Sequence, residues 1–268
     1  MGKSHITGWV SDSPTPAQLS EFFCQIKGGR ITKKNFQAFL SDDSASMEKR
    51  MVSAAIRGED ITSPTKGLPL TISQKLAREI MGPNFFGVRQ AIHSFEIGLT
   101  RLRLLALSEI PFSEATLRER KETHILVAVF PLSIVTICAY VGWSLDPHWI
   151  YEYPFVVERG EASWQLILKT SVDDAFRQTW SEQQSLIGRG EGVPSARMLL
   201  YTIVGHHLAT GECLLRRRNV RTSTTNSTGY HIVIGFSDFD NRDISIKSWL
   251  DDDRHPDLGI SSLVRSEL

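Results

Sequence analysis

The densest group of chemically capable side chains lies near the C-terminal end of the sequence. Trp249 is followed by Asp251, Asp252, Asp253, Arg254 and His255, and Pro256 and Asp257 complete the run. A second polar set, Asp238, Asp240, Asn241 and Arg242, precedes it, with Lys247 between the two. A Trp flanked by polar side chains suits a binding anchor, because it offers a large apolar face beside hydrogen-bonding groups; a core position suits it equally. Clustered carboxylates are what hard cations take, so Asp251 to Asp253 with Asp257 have the composition of a calcium loop. The simpler reading is a solvated acidic loop paired with Arg254, and it implies no metal and no cofactor. The expected ligand-binding face is therefore Asp238, Asp240, Asn241, Arg242, Lys247, Trp249, Asp251, Asp252, Asp253, Arg254 and His255, with no catalytic residue assigned.

Other reactive side chains form no such group. His206 and His207 adjoin on one predicted helix and point about 100° apart, so they do not face one metal together. His124 and His231 fall in strands with no partner visible in sequence. The chain has no GxSxG, HExxH or phosphate-loop motif. Gly188 to Gly192 is glycine-rich, but it follows a helix instead of a strand, which removes the nucleotide reading. Arg216, Arg217 and Arg218 read as a solvated turn and not as a nucleic-acid site.

The elements that must position these residues follow from local pattern. Tyr230 to Phe236, Ile244 to Leu250 and Gly259 to Val264 are β-branched and aromatic runs of strand length, separated by polar turns. Asp251 to Leu258 is too polar to pack in a core and reads as a loop displayed by those strands. Upstream, His124 to Phe130 and Ser163 to Thr170 read as strands. Thr179 opens a helix with Glu182 in the capping-box position, and Ser195 to Leu208 is a helix closed by Gly211. Thr71 caps a helix over Ser73 to Met81, and Ser113 caps one through Arg120. Further helices are expected over Phe86 to Phe95 and Thr100 to Leu107.

Residues 1 to about 80 read as a small helical region and linker. Leu19, Phe22, Phe23 and Ile26 share one helical face, and Phe36, Phe39 and Leu40 another. That arm is either a packing appendage or a module that docks a partner. Residues 81–268 then form one α+β domain, since strands, grouped helices and further strands do not make βαβ units.

Composition sets outer bounds. Apolar content of 41% with 22% charge is that of a folded globular chain. Thirty basic residues balance thirty acidic ones, so charge gives no reason to expect nucleic acid or a membrane surface as a partner. The three cysteines, Cys24, Cys138 and Cys213, form neither a disulfide framework nor a metal spacing. The N-terminus lacks the apolar core of a signal peptide, so a cytoplasmic location is expected. Ile125 to Trp143 is uncharged for nineteen residues, long enough to span a bilayer. Pro131 divides it into a strand-like half and a helix-like half, which favours burial in a globular core.

Four local stretches carry a resemblance. Thr179-Trp180-Ser181-Glu182-Gln183-Gln184, Val193-Pro194-Ser195-Ala196-Arg197 with Tyr201, Ser245 to Trp249 through Arg254 to Asp257, and Leu258 to Ser262 with Arg265 follow one another in that order. Together they resemble the C-type lectin-like fold of formylglycine-generating enzymes and of retroelement-diversified variable proteins, over residues of about 120–268. ETHILVAVFPLSI and ARMLLYTIVGHHLATGE also resemble an uncharacterised bacterial family. The first resemblance implies that the helical arm is followed by a domain of short antiparallel strands and two helices. It further implies a non-enzymatic scaffold that displays its C-terminal loops to a protein or glycan ligand. The copper-dependent chemistry of the enzyme branch needs a cysteine pair in the C-terminal half, and no cysteine follows Cys213. The alternatives are a hydrolase-type enzyme using His124, His206, His231 and the Asp cluster, or a regulatory protein that docks through its arm.

Overall fold

A computed structural model describes residues 70–98, 100–141, 153–215, 218–236 and 244–267. The two helices expected before residue 41, and the loop residues Asp238, Asp240, Asn241 and Arg242, lie outside them. Residues 63–98 with 102–268 form one compact unit, of α+β class.

Capping chemistry sets the helix starts. α1 (Ile72–Met81) begins at Thr71, whose hydroxyl accepts from Gln74 N while the Gln74 side chain reaches back to Thr71 N, a reciprocal capping box. α2 (Val88–Phe95) and α3 (Arg101–Ala106) follow, then α4 (Glu114–Arg120) capped by Ser113. The uncharged stretch divides as its proline suggests. Ile125 to Val129 belong to strand β2 (His124–Val129), and Ser133 caps the short helix α5 (Ile134–Tyr140), with Pro131 in the turn between. Among the described residues no helix is long and apolar enough to cross a membrane.

Two sheets carry the fold. The first has the order β1–β2–β3–β9–β4, where β1 is Phe85–Phe86, β3 Ser163–Leu168, β4 Glu191–Gly192 and β9 Leu263–Val264. All six residues of β2 are buried, so this strand is covered on both faces and reads as a continuous apolar run. The second sheet has the order β7–β6–β5–β8, with β5 at Asn219–Thr225, β6 at His231–Phe236, β7 at Ile244–Trp249 and β8 at Leu258–Ile260. β6 pairs antiparallel with both β5 and β7, while β8 lies parallel to β5.

The longest described helix, α7 (Ala196–Thr210), packs against strands of both sheets and against α2 and α5. Eight consecutive residues, Leu199 to His206, are buried together with Ala196, so the helix is covered nearly all round. The burial follows from position, because a central helix meets partners on opposite sides. The Tyr201 hydroxyl donates to Ala128 O of β2 at 3.1 Å, and its ring lies 4.7 Å from that of Phe95. Gly205 sits where an added Cβ would come within 2.9 Å of the Phe86 ring, so only glycine permits this approach.

The C-terminal tail divides where one strand was expected over Gly259 to Val264. β8 joins the second sheet and β9 the first, with buried Ser261 and Ser262 crossing between them. Leu168 N donates to Ser262 O at 2.9 Å and Val172 N to Ile260 O at 2.8 Å, which satisfies the crossing backbone. Beyond β9, the Glu267 carboxylate accepts from Ser113 N, Ser113 Oγ and Thr116 Oγ1, tying the end of the chain to the N-terminus of α4. These bonds, the Thr116 hydroxyl first, hold the Glu267 carboxyl below the usual range. Deletion of residues 259–268 removes strands from both sheets together with the fully buried Ile260. It is expected to cost roughly 3–5 kcal/mol or abolish cooperative unfolding; an unchanged urea midpoint would show that the tail is dispensable.

Candidate functional site

The second sheet ends in a cluster of aromatic and charged side chains assembled by one buried cation. Arg221, in β5, is fully buried. Its Nη1 donates to Gln178 O and Gln183 Oε1, both at 3.1 Å; its Nη2 donates to Leu250 O at 2.7 Å and Asp253 O at 2.9 Å. Asp251 O lies at 3.5 Å from the same nitrogen. A guanidinium offers its N–H groups in a fixed plane, so backbone carbonyls from two separate loops must come to it. Burial lowers the Arg221 pKa from its ordinary value, and the charges of Asp251 and Asp253 oppose that shift. Gln183 is itself buried and donates to Ala175 O and Leu258 O, so helix α6 (Trp180–Ser185) is fixed to β8 as well.

α6 begins in the capping box expected from Thr179 and Glu182. The Glu182 carboxyl is held below its usual range by the Thr179 backbone N–H first, then by Arg254. Arg254 Nη2 lies 2.7 Å from Glu182 Oε1, and its Nη1 donates to Arg177 O at 3.2 Å. The acidic loop is thus bound to the helix by one exposed arginine and one buried one.

On the sheet itself, His231 and Trp249 are directly opposed in the β6–β7 register and so share a face. The His231 imidazole stacks on Trp180 with centroids 3.7 Å apart, and its Nδ1 lies 2.7 Å from Asp251 Oδ1. Trp249 meets the edge of His255 at 4.8 Å. A row of rings, Trp180, His231, Trp249 and His255, therefore runs across one end of the sheet. Beside it opens a groove of ≈ 520 Å³ with walls from Tyr230, Trp249 and Leu250 and polar groups from Ser248, Asp253, Arg254 and His255.

The structure separates the expected binding residues. Trp249, Asp253, Arg254 and His255 line the groove. Asp251 turns to His231, and neither Lys247 nor Asp252, both exposed, is among the groove residues. Trp249 is half-buried, which reconciles its two sequence readings: one part packs and the other faces the groove. Tyr230, Ser248 and Leu250 were not singled out in the sequence, nor were Trp180 and Arg221 as parts of a site. For Tyr230 and Leu250 a signal existed, since each flanks an apolar strand and emerges at its end.

The histidines do not converge. His231 pairs with Asp251, His206 Nε2 lies 3.3 Å from Glu212 Oε2, and His124 Nδ1 lies 2.8 Å from Thr123 Oγ1. Cys213 Sγ lies 3.6 Å from His207 Nδ1 at the C-terminal end of α7. Among the described residues no group of three or more His, Cys, Asp or Glu side chains is arranged to hold a metal ion. The His231 ring is covered by Trp180 and largely buried, which makes the His231–Asp251 pair a strut between β6 and the loop. No family model, curated protein or solved structure matches the chain.

Two outcomes follow from these placements. Arg221→Met keeps much of the side-chain volume but strips donors from four oxygens; unpaired buried acceptors cost about 1–3 kcal/mol each. The variant is expected to lose several kcal/mol and to speed amide exchange selectively at residues 250–254; unchanged exchange in that loop would show that Arg221 does not hold it. His124 is buried with Nε2 unpartnered, and burial first, then Arg120, pushes its pKa down to about 4. The native state therefore favours the neutral ring, and this contribution is complete above the unfolded value near pH 6.5 and lost as pH falls toward 4. Stability should decline through that window with a slope of up to about 1.4 kcal/mol per pH unit from this residue. His124→Leu should lessen the decline by that amount in urea unfolding; an identical slope in the variant would place the acid sensitivity elsewhere.

Proposed function

We propose that this chain is a non-enzymatic binding protein that captures a protein or glycan ligand in the groove beside Trp249. The observation that carries the reading is the composition of that groove. A Trp and a Tyr offer aromatic surface, Asp253, Arg254, His255 and Ser248 offer donors and acceptors of both signs, and ≈ 520 Å³ of space lies between them. Tyr230 is 40% exposed, enough to contact a ligand without rearrangement. Aromatic rings of this kind supply contact area at small entropic cost, and the charged rim supplies orientation. Arg221 and Glu182 hold the loop from beneath and from the side, so the surface is formed before a ligand arrives.

The C-type lectin-like reading of the scaffold belongs to this proposal. It is supported by the Trp-led, capping-boxed α6, by α7 opening at Ser195 behind Pro194, and by a tail of short strands that presents the loop. An arm that docks a partner would involve residues outside those described. A hydrolase reading would need a nucleophile within reach of His231, whereas the ring of that residue is committed to Trp180 and Asp251.

The full chain, labelled and applied to a printed glycan array and to a peptide array, should retain a ligand through this surface. Trp249→Ala with Arg254→Ala and His255→Ala should lower capture at least tenfold. Exposed and half-exposed changes cost little stability, so the variant should unfold within about 1–2 kcal/mol of the native protein. Undiminished capture by the folded variant would move the site elsewhere, and global unfolding of Trp249→Ala alone would make that residue core.

A further inference from the structure

We propose that the groove beside Trp249 is specific for a basic side chain, arginine or lysine, carried by a protein ligand. The inference rests on the binding role proposed above and narrows it from protein or glycan to one chemistry.

The ionic groups of the groove are not equally available. Arg254 Nη2 lies 2.7 Å from Glu182 Oε1 and its Nη1 donates to Arg177 O at 3.2 Å, so the charge of this arginine is met on the side of α6. His255 Nδ1 accepts from Asp257 N at 3.2 Å. The Asp253 carboxylate lines the same groove, is half-buried, and makes no hydrogen bond or ion pair among the described residues. The buried Arg221 attracts it, yet that guanidinium donates to the Asp253 carbonyl and not to the carboxylate. The backbone of Asp253 is therefore held while its carboxylate oxygens keep their capacity to accept. A carboxylate partly withdrawn from water and without a donor repels an anionic ligand and attracts a cationic one.

The aromatic walls select the same charge. Trp249 and Tyr230 line the groove together with Asp253, and the Tyr230 hydroxyl makes no hydrogen bond among the described residues. The face of an indole or phenol ring carries negative potential, and it attracts a guanidinium or ammonium group most where water is partly excluded. Trp249 is braced by the edge contact with His255, centroids 4.8 Å apart, so its ring is set before a ligand arrives. Leu250, 46% exposed, adds apolar surface for the methylene stem that arginine and lysine share. Apolar wall, aromatic faces and one carboxylate together match a long side chain with its charge at the tip. A sugar needs several hydroxyl partners instead, and the Arg254 donors are already directed to Glu182 and Arg177.

The test uses the full chain and blocked pentapeptides Gly-Ser-Xaa-Ser-Gly, titrated by calorimetry, with arginine, lysine, citrulline or glutamate at the central position. Citrulline keeps the arginine shape and lacks its charge. The arginine and lysine peptides should bind saturably, and the citrulline peptide about tenfold or more weakly than arginine. Asp253→Asn preserves the carbonyl that Arg221 uses and should abolish the preference for arginine over citrulline. Asp252→Asn removes an equal charge from an exposed neighbour outside the groove and should bind as the native protein does. Should Asp253→Asn fail to fold, Tyr230→Leu serves in its place, because it disturbs no bond of Arg221; it should weaken the arginine peptide more than the citrulline peptide. Equal affinity for arginine and citrulline, a preference that survives in folded Asp253→Asn, or an equal loss in the Asp252 variant each overturns the assignment. Glycan capture without any basic-peptide binding, lost in the triple Trp249, Arg254 and His255 variant, overturns the basic specificity alone and leaves the groove as the site. Capture of neither overturns both readings.

Discussion

The Arg221 guanidinium is the point on which the second sheet and its loops depend. A buried cation without a bound carboxylate costs several kcal/mol in desolvation, and here the offset comes from oxygens of the backbone and of Gln183. Those oxygens belong to two segments far apart in sequence, Gln178 to Gln183 and Leu250 to Asp253. Gln178 precedes α6, and Leu250 to Asp253 follow β7, so the guanidinium bonds carbonyls that lie outside the helices and strands. The charges of Asp251 and Asp253 oppose its desolvation. The acidic run is therefore a structural counter-charge as well as a surface.

The second constraint is topological. The tail enters the second sheet as β8 beside β5 and leaves it within two residues to enter the first as β9 between β3 and β4. α7 packs against strands of both sheets, and the last segment of the chain pairs Val264 with Leu166 of β3 and with Glu191 of β4. Such pairings close long loops, and their contacts must offset the entropy of that closure. The Ser261–Ser262 crossing works because small hydroxylated residues can be buried with their backbone satisfied by Leu168 and Val172.

These two constraints explain why the groove lies where it does. Arg221 fixes the floor of the loop, Arg254 ties its flank to α6, and the His231–Asp251 strut sets its height over the sheet. Rings that would otherwise present a loose apolar patch are engaged in pairs, Trp180 stacked on His231 and Trp249 edge-on to His255. A surface of that kind is rigid, and its aromatic area is small enough to avoid indiscriminate association.

The sequence by itself determined what acts within a few residues. Thr71, Ser113, Thr179 and Ser195 begin helices because a hydroxyl reaches a backbone N–H three residues on, and that distance is fixed by the local chain. The β-branched runs became strands for the same local reason, and Trp249, Asp253, Arg254 and His255 could be grouped because they are neighbours in sequence. Tertiary structure alone decided the rest. Arg221 finds Gln183 across 38 positions, and His231 finds Asp251 across 20. The run from Gly259 to Val264 looked like one strand because apolar pattern records burial and not which sheet does the burying. Its division into β8 and β9 depends on where the two sheets stand about α7, a matter of packing that no local pattern encodes.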